Sequence, residues 1–428
     1  MIKRLLLIVT VGAACLSGQA ALTLEQARTE ARSKYPEIAM SGLLEQTRDL
    51  TLKNITTQWF PQIVVGGQAT WQNKVAKFSP DTRKLLQTMG IDVPGIKKDQ
   101  YRVGALLHQN IWDGGASKAE RAIAEASTEA QLRKTDVDMY ALDGRIDELF
   151  FGILLAREQQ KEINLTLTLL KSNLETVQIY YKNGVAMHSD VDAVKAQELT
   201  VRQYLKEATS AEETLRDVLG IFMGRDIRGE ELVKPTAPLL SSDQCNRPEL
   251  MEFDALDKAL DSKRHAINAS LMPRIGLFAG TFYGYPGLDF VKDMTSHKWS
   301  FNFLAGVNVA WNIGAFYTRK NDLRKIEIGK SEIDVERKLF MLQNNIEKAR
   351  ENGDIRRLKA LIADDNEIVE LRKAVRNAAE SKLRNGVIDT NDLLQKITDE
   401  SMARQEKINR EIELLKAQYQ LSHTLNQK

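Results

Sequence analysis

The amino-acid sequence predicts an α+β membrane protein in which long antiparallel helical hairpins alternate with pairs of membrane strands. Three features support this fold class. Short matching segments occur in the same order in both halves of the chain. Proline is absent from residues 95–234 and again from 287–428, as very long helices require. Apolar residues alternate with small or polar residues along 299–311, which is the period of a β-strand.

Prolines mark the internal repeat. Pro36 and Pro61 correspond to Pro248 and Pro273, and both are displaced by the same number of residues. Two further matches follow in order: Trp112-Asp113-Gly114-Gly115 with Trp311-Asn312-Ile313-Gly314, and Asn183-Gly184-Val185 with Asn385-Gly386-Val387. Their displacement is smaller, as expected if the second copy has a shorter loop. We therefore expect two internal structural repeats.

The N-terminus has the pattern of a secretory signal peptide, predicted at residues 1–20. Two basic residues precede the apolar run 5–14, and small residues before Ala21 suit cleavage after Ala20. A run of that length is too short for a transmembrane helix, which needs roughly 20 residues. Cys15 follows small residues and is an alternative processing site, by lipidation. Either reading predicts export.

Charge and cysteine content exclude several classes of function. Without the two bases of the signal, the 60 basic residues fall to 58 and equal the 58 acidic residues. A neutral chain gives no electrostatic basis for binding nucleic acid. A charged fraction of 28% with 7% aromatic residues suggests long solvated helices. Cys245 is the single cysteine outside the signal, so no intramolecular disulfide is expected.

Each proline-free stretch predicts one antiparallel helical hairpin. The first arms, Ala116 to Lys182 and Ala315 to Arg384, would each be on the order of 100 Å long. They end at the turns 183–189 and 385–391, where Asn-Gly tolerates positive φ. The predicted N-caps of the returning helices are Ser189 and either Thr390 or Asn391. Coiled-coil seams are predicted on the second hairpin at Ile368, Leu371, Val375 and Ala378, and at Ile408, Ile412, Leu415 and Tyr419.

Strand signals occur in pairs before each hairpin. The predicted strands are 62–72 with 101–112, and 274–283 with 299–311. In the last of these, Phe303 belongs to the apolar face, and Asn302 belongs to the polar face, where an arginine should be tolerated. One such strand alone would suit a soluble sandwich.

Four long strands bounded by Trp and Tyr in an exported chain instead resemble outer-membrane barrel strands of about 9–11 residues. Four strands cannot close a barrel, and open edges in lipid would leave backbone groups unpaired. We therefore expect the chain to contribute its strands to a shared barrel in an obligate oligomer.

Several segments resemble one family. They are Leu22-Thr23-Leu24-Glu25-Gln26-Ala27, the Arg247-Pro248-Glu249-Leu250 start of the second half, the strand openings Pro61-Gln62 and Pro273-Arg274, and the strand exit at residues 109–115. In this order, and in both copies, they resemble TolC-family outer-membrane factors over the whole mature chain.

The resemblance implies a homotrimer in the outer membrane of a Gram-negative bacterium, with a large periplasmic portion. Each subunit would give four strands to one twelve-stranded β-barrel, and the hairpins would form a periplasmic α-helical tunnel. The tunnel tip would dock on a periplasmic adaptor protein served by an inner-membrane transporter. The loops 74–100 and 285–298 would face outside.

The expected domain boundaries follow from the repeat. They are a signal peptide at 1–20; a first repeat at 21–224 with a strand pair at 61–112 and a hairpin at 116–223; an equatorial linker at 225–246; and a second repeat at 247–428 with a strand pair at 273–313 and a hairpin at 315–425.

The resemblance also implies three sets of site residues. The adaptor-contact tips are Asn183, Gly184, Val185, Asn385, Gly386 and Val387. The periplasmic gate or ion ring is Asp190, Asp389 and Asp392. The aromatic residues of the membrane strands are Trp71, Tyr101, Trp112, Trp299, Phe301, Phe303 and Trp311. The first two sets also have simpler explanations. The tip residues suit ordinary helix-hairpin turns, and the acids suit the first turn of a helix, where the helix dipole favours negative charge.

The sequence departs from the family pattern near the second turn. Gln395 and Lys396 stand where a second acid of the ring is expected, and Ile388 replaces the basic residue of an inter-helix lock. A doubled acidic ring and that lock are therefore in doubt.

Neither an enzyme nor a cofactor is expected, because no catalytic constellation occurs and the histidines lack metal-ligand spacing. The function expected is a passive exit duct of a tripartite efflux or type I secretion system, embedded in outer-membrane lipid. A periplasmic coiled-coil adaptor is the alternative, although an adaptor should have one hairpin flanked by short Gly-rich strands. A soluble coiled-coil scaffold is a third possibility.

Overall fold

The computed structural model describes residues 21–239 and 244–427. The predicted signal peptide, with Cys15 and Ala20, lies outside the described residues. The helices are α1 (Leu24–Lys34), α2 (Ile38–Thr57), α3 (Pro80–Thr88), α4 (Ala116–Lys182), α5 (His188–Met223), α6 (Pro248–Ala269), α7 (Phe290–Thr295), α8 (Ala315–Arg384) and α9 (Thr390–Leu425). The strands are β1 (Gln62–Trp71), β2 (Asp99–Trp112), β3 (Arg274–Tyr285) and β4 (Ser300–Ala310).

The chain divides into two compact units. The first, the hairpin unit, consists of the described parts of 1–40, 135–250 and 338–428. The second, the strand unit, consists of 41–134 and 251–337. None of the helices in the described parts of the chain is both long and apolar enough to cross a membrane.

The four strands form one antiparallel sheet in the order β1-β2-β3-β4. The register places Val65 opposite Ala105, Ala105 opposite Thr281, and Thr281 opposite Phe303, so one row of side chains crosses the whole sheet. The ladder between β2 and β3 is irregular near Asn110. A mostly helical chain with a four-stranded antiparallel sheet agrees with the predicted strand pairs.

The long helices α4 and α8 begin and end at the predicted residues. Their bounds are local in origin, because proline-free sequence lets each helix continue and Asn-Gly ends it. The predicted N-caps are wrong: Met187 caps α5 and Asp389 caps α9. The reason is that an acid reaches a free N–H at each helix start: the Asp190 carboxylate accepts the Met187 N–H at 2.8 Å, and the Asp389 carboxylate accepts the Asp392 N–H at 2.9 Å.

The hairpin unit has two apolar clusters. One packs α1 against α4 and α5 around Phe150, Phe151 and Ile146. The other packs the two hairpins together near their turns, with Leu170 and Val177 of the first hairpin against Leu393 and Ile397 of the second. This second cluster places both turns in one unit.

The predicted seam of α8 does not pack within this chain. Ile368, Leu371 and Val375 are exposed, whereas the neighbouring Val369 and Ala379 are buried. The apolar positions of α8 therefore form two stripes, of which only one contacts the chain's own helices. On α9 the prediction holds for Ile412 and Leu415, which are buried.

Candidate functional site

One face of the sheet is apolar and exposed across all four strands. The register groups the outward-facing residues of β4 with apolar or small residues of the other strands; examples are Ile63, Val65, Val103, Ala105, Leu277, Ala279, Phe301, Phe303, Val307 and Val309. Val65 is 74% exposed and Phe301 71% exposed. A contiguous exposed apolar surface on a folded protein marks a contact with lipid or protein.

Most of the predicted aromatic residues lie at the ends of the strands, whereas Phe303 lies within β4. Tyr101 and Trp299 stack with ring centroids 6.1 Å apart at the end that carries the loops, and Tyr283 lies 5.5 Å from Trp299. At the opposite end, Trp311 donates its indole N–H to the Leu271 carbonyl at 2.9 Å. Tyr283 is not among the predicted aromatic residues but belongs to this band; the sequence signal for it is the alternation of β3, which places Tyr283 on the same face as Thr281. Two aromatic bands flanking an apolar face are typical of membrane strands.

The opposite sheet face is mixed, and it corrects one expectation. Arg102 lies over the Phe282 ring at 5.2 Å, and the glycines at 66, 104 and 280 line a cavity on this face. Asn302 is only 8% exposed, and its amide oxygen accepts the Leu288 N–H at 2.8 Å. Arginine at 302 would break that contact, so the expectation that it is tolerated is wrong. Asn308, on the same face and exposed, is the suitable position.

The two hairpin turns have the same backbone geometry. Gly184 and Gly386 adopt φ of 71° and 68°, the left-handed region that the Asn-Gly pairs predicted. The valine after each glycine forms a hydrogen bond that caps the C-terminus of the preceding helix. Val185 N–H donates to the Tyr180 carbonyl at 2.8 Å, and Val387 N–H donates to the Lys382 carbonyl at 2.9 Å. Their side chains, however, are 72% and 68% exposed. Backbone closure explains the glycines but leaves two apolar tips without packing in this chain.

The predicted gate acids differ from one another. Asp190 and Asp389 are engaged in capping α5 and α9, since Asp389 accepts the Asp392 N–H at 2.9 Å. Asp392 is exposed, and its carboxylate has no hydrogen bond or ion pair among the described residues. Of the three, Asp392 is thus the acid available to an ion. The lock position Ile388 packs against the apolar cluster near the turns, as an apolar residue should.

A buried ionic network, which the sequence analysis missed, joins the two arms of the second hairpin. Glu400 is 2% exposed, and its carboxylate accepts from Arg376 at 2.6 Å and from Arg404. Arg404 also lies 3.7 Å from Glu162 of the first hairpin, and burial raises the pKa of that carboxyl. The sequence signal for this network is that Arg376 lies between apolar positions of the heptad pattern in α8.

A second polar cluster lies at the other end of the hairpin unit, in a cavity of about 320 Å³. Glu351 accepts the Thr424 hydroxyl at 2.9 Å through one oxygen, and its other oxygen is buried without a partner among the described residues. Burial raises the pKa of Glu351 to about 7. His423 stacks on Tyr140 at 4.1 Å, and burial lowers the pKa of its ring.

Glu351 should make stability depend on pH. Its pKa rises from the usual 4.5 to about 7 on folding, so the folded chain binds the proton more tightly. The free energy of unfolding should therefore fall as pH rises between these values and stay constant above them. Thermal unfolding of Glu351→Gln should show a smaller loss between about pH 5 and about pH 8 than wild type. Glu347→Gln, an exposed neighbour, is the control, and an unchanged loss in Glu351→Gln would contradict the assignment.

Together, the sheet face and the turns define a class: a protein with membrane strands and long paired helical hairpins. Residues 27–220 match the sequence model of the outer membrane efflux protein family. A search of curated proteins gives no match. The fold is similar to VceC of Vibrio cholerae, at 15% identity and a TM-score of 0.68 over 94% of this chain and 96% of that protein.

Two other outer-membrane channels have similar folds. OprN is 14% identical with a TM-score of 0.68, over 95% of this chain and 90% of that protein. CmeC of Campylobacter jejuni is 12% identical with a TM-score of 0.65, over 94% of this chain and 85% of that protein. The match of residues 27–220 to the outer membrane efflux protein family confirms the resemblance to TolC-like factors. The expected location, a Gram-negative outer membrane with a large periplasmic part, is confirmed with it.

Proposed function

We propose that this protein is the outer-membrane exit duct of a tripartite efflux or type I secretion system. It conducts substrates passively from a periplasmic adaptor and an inner-membrane transporter to the outside. The observation that carries the proposal is the apolar sheet face, which is exposed in the single chain and bounded by aromatic residues.

The open sheet supports the proposal of a homotrimer. The order β1-β2-β3-β4 leaves an open edge on β1 and another on β4. Open edges within lipid would leave backbone N–H and C=O groups without hydrogen-bond partners. Each unpaired group would cost several kcal/mol. Three chains joined edge to edge make the twelve-stranded barrel that the family resemblance implies. The exposed stripe of Ile368, Leu371 and Val375 on α8 gives the helical part its own surface for a neighbouring copy.

The hairpin turns are the proposed adaptor contact. Asn183, Gly184 and Val185 match Asn385, Gly386 and Val387 in geometry, so one adaptor surface could recognise both turns. The exposed valines supply apolar contact where the chain itself uses none. The same repetition supports two structural repeats with the domain boundaries expected from the sequence.

The competing function is a periplasmic coiled-coil adaptor. It accounts for the hairpins but not for strands of 10, 14, 12 and 11 residues with an apolar exposed face. A soluble scaffold likewise leaves that face unexplained.

Cross-linking tests the duct directly. We expect detergent-extracted protein to give a cross-linking ladder that ends at the trimer, and heat-resistant trimer bands in outer-membrane fractions, because only the assembly closes the barrel. A soluble monomer recovered from the periplasm would favour the adaptor instead. A stable barrel made by one chain would contradict the proposal.

Cation selectivity should depend on Asp392. Three copies of this free carboxylate, converging on the trimer axis, would attract cations in the resting channel and bind multivalent ones. In planar bilayers, Asp392→Ala should reduce cation selectivity and relieve block by a trivalent cation. Asp190→Asn, which alters a capping acid of the first hairpin, is the comparison variant. Unchanged selectivity in Asp392→Ala and in Asp389→Ala would make these acids ordinary helix-start residues.

A further inference from the structure

Lysines are concentrated at the base of the loop between β1 and β2, which we name the basic stem. Residues 72–98 contain six basic and two acidic residues, in a mature chain of balanced charge. Backbone bonds hold the two sides of the stem together: Gln72 N–H donates to the Lys98 carbonyl at 2.9 Å, and Ile96 N–H donates to the Ala76 carbonyl at 3.2 Å. The basic stem consists of Lys74, Lys77, Lys97 and Lys98.

The basic stem has no ion-pair partner among the described residues. All four lysines are exposed, and none forms an ion pair with an acid in the part of the chain that the structure describes. The nearby Asp293 is buried, and its carboxylate already accepts the Gly287 N–H at 2.6 Å. Four like charges held close together raise the free energy of the folded chain unless external anions approach.

The basic stem is held in position by the second loop. Tyr285 accepts the Lys97 N–H at 3.1 Å and donates to the Asp293 carbonyl at 3.1 Å. The His297 ring bonds the Gly95 carbonyl at 2.8 Å. The lysines are thus attached to an ordered double loop, whose arrangement does not depend on the lysines themselves.

The aromatic band lies directly beside the basic stem. The Lys98 ammonium is 5.5 Å from the centre of the Trp71 ring, and Trp71 ends β1 on the side of the Tyr101–Trp299 stack. Aromatic rings of this kind sit at the level of lipid headgroups. A lysine next to the band is therefore at the height of headgroup phosphates, where each basic residue contributes to binding anionic lipid.

We propose that the basic stem binds phosphate-bearing anionic lipid headgroups of the outer leaflet. The inference rests on the proposed function for orientation, because it requires the loops to lie on the outer side of the membrane. The ammonium groups supply charge, and Trp71 and Trp299 supply the adjoining apolar contact. Bound lipid would in turn replace the counter-ions that the chain does not provide.

Lipid retention by the purified full chain tests the proposal. Protein immobilised in an uncharged detergent is washed with mixed micelles containing lipid A, phosphatidylglycerol or phosphatidylcholine, and bound lipid per chain is measured. The variant Lys74→Glu/Lys77→Glu/Lys97→Glu/Lys98→Glu reverses the charge of the basic stem. A second variant, with Lys→Gln at the same four positions, removes that charge. The matched control reverses four exposed lysines of the hairpins that lack ion pairs among the described residues: Lys171, Lys206, Lys359 and Lys373.

Wild type and the matched control should retain both anionic lipids in excess over phosphatidylcholine. The reversed stem should lose roughly tenfold or more of the lipid A retention, with the glutamine variant between them, and high salt should weaken retention in wild type. Equal retention of anionic and neutral lipid by wild type, or unchanged retention by the reversed stem, would overturn the proposal. Retention of phosphatidylglycerol but not lipid A would also overturn it for the outer leaflet. Trimer bands are measured on the same samples. If the proposed duct function is wrong, wild type will give no trimer, and this outcome is distinct from a change in lipid retention.

Discussion

Replacement of Phe303 by arginine is expected to remove most of the heat-resistant trimer from the outer membrane. Phe303 is exposed on the apolar face of β4, opposite Thr281 of β3. A charged side chain on the lipid face near the bilayer midplane costs roughly 2–4 kcal/mol, and a trimer carries three copies of the change. The measurement is the amount of trimer band in outer-membrane fractions at equal expression.

The matched control is Asn308→Arg. Asn308 lies on the same strand but faces the opposite side of the sheet, is exposed, and makes no side-chain hydrogen bond among the described residues. We expect this variant to retain near-normal trimer. Asn302→Arg would be a poor control, because its loss of the bond to Leu288 would lower stability for an unrelated reason. Equal losses in Phe303→Arg and Asn308→Arg would mean that the lipid-facing side has been assigned wrongly.

Gly386→Asp is expected to abolish export while the trimer still assembles. Nothing lies within 4 Å of a Cβ placed on Gly386, so the added side chain points into open space and disturbs no packing. Its φ of 68° costs a non-glycine residue roughly 1–2 kcal/mol, which aspartate bears better than most residues. The larger effect is a charge beside the exposed Val387, on the surface proposed to meet the adaptor. Export in cells and trimer abundance are measured together.

Gly386→Asn separates charge from backbone strain. Asparagine tolerates the left-handed region and carries no charge, so export should largely survive. Gly184→Asp and Gly184→Asn repeat the comparison at the first turn, whose glycine has a φ of 71° and equally open surroundings. Full export by both aspartate variants would place adaptor docking elsewhere on the protein.

The sequence by itself determined the kind and extent of the main elements. The bounds of α4 and α8 were predictable because the absence of proline, the Asn-Gly pairs and positive φ are local properties of the chain. The strands were predictable because alternation assigns side chains to two faces whatever the partner strand. Even so, the caps at Met187 and Asp389 were missed, because the choice among several capping residues depends on which carboxylate reaches a free N–H.

Only the tertiary structure decided which surfaces are used within the chain. A heptad pattern fixes a face of a helix but not its partner, so sequence could not tell that Val369 packs internally whereas Leu371 stays exposed. The pairing of Arg376 with Glu400 joins two helices, and the burial of Asn302 depends on a loop folding over β4. The basic stem likewise exists because backbone bonds bring Lys74 and Lys98 together across a long loop. Contacts between distant residues follow from how the elements pack, and local sequence patterns do not encode that packing.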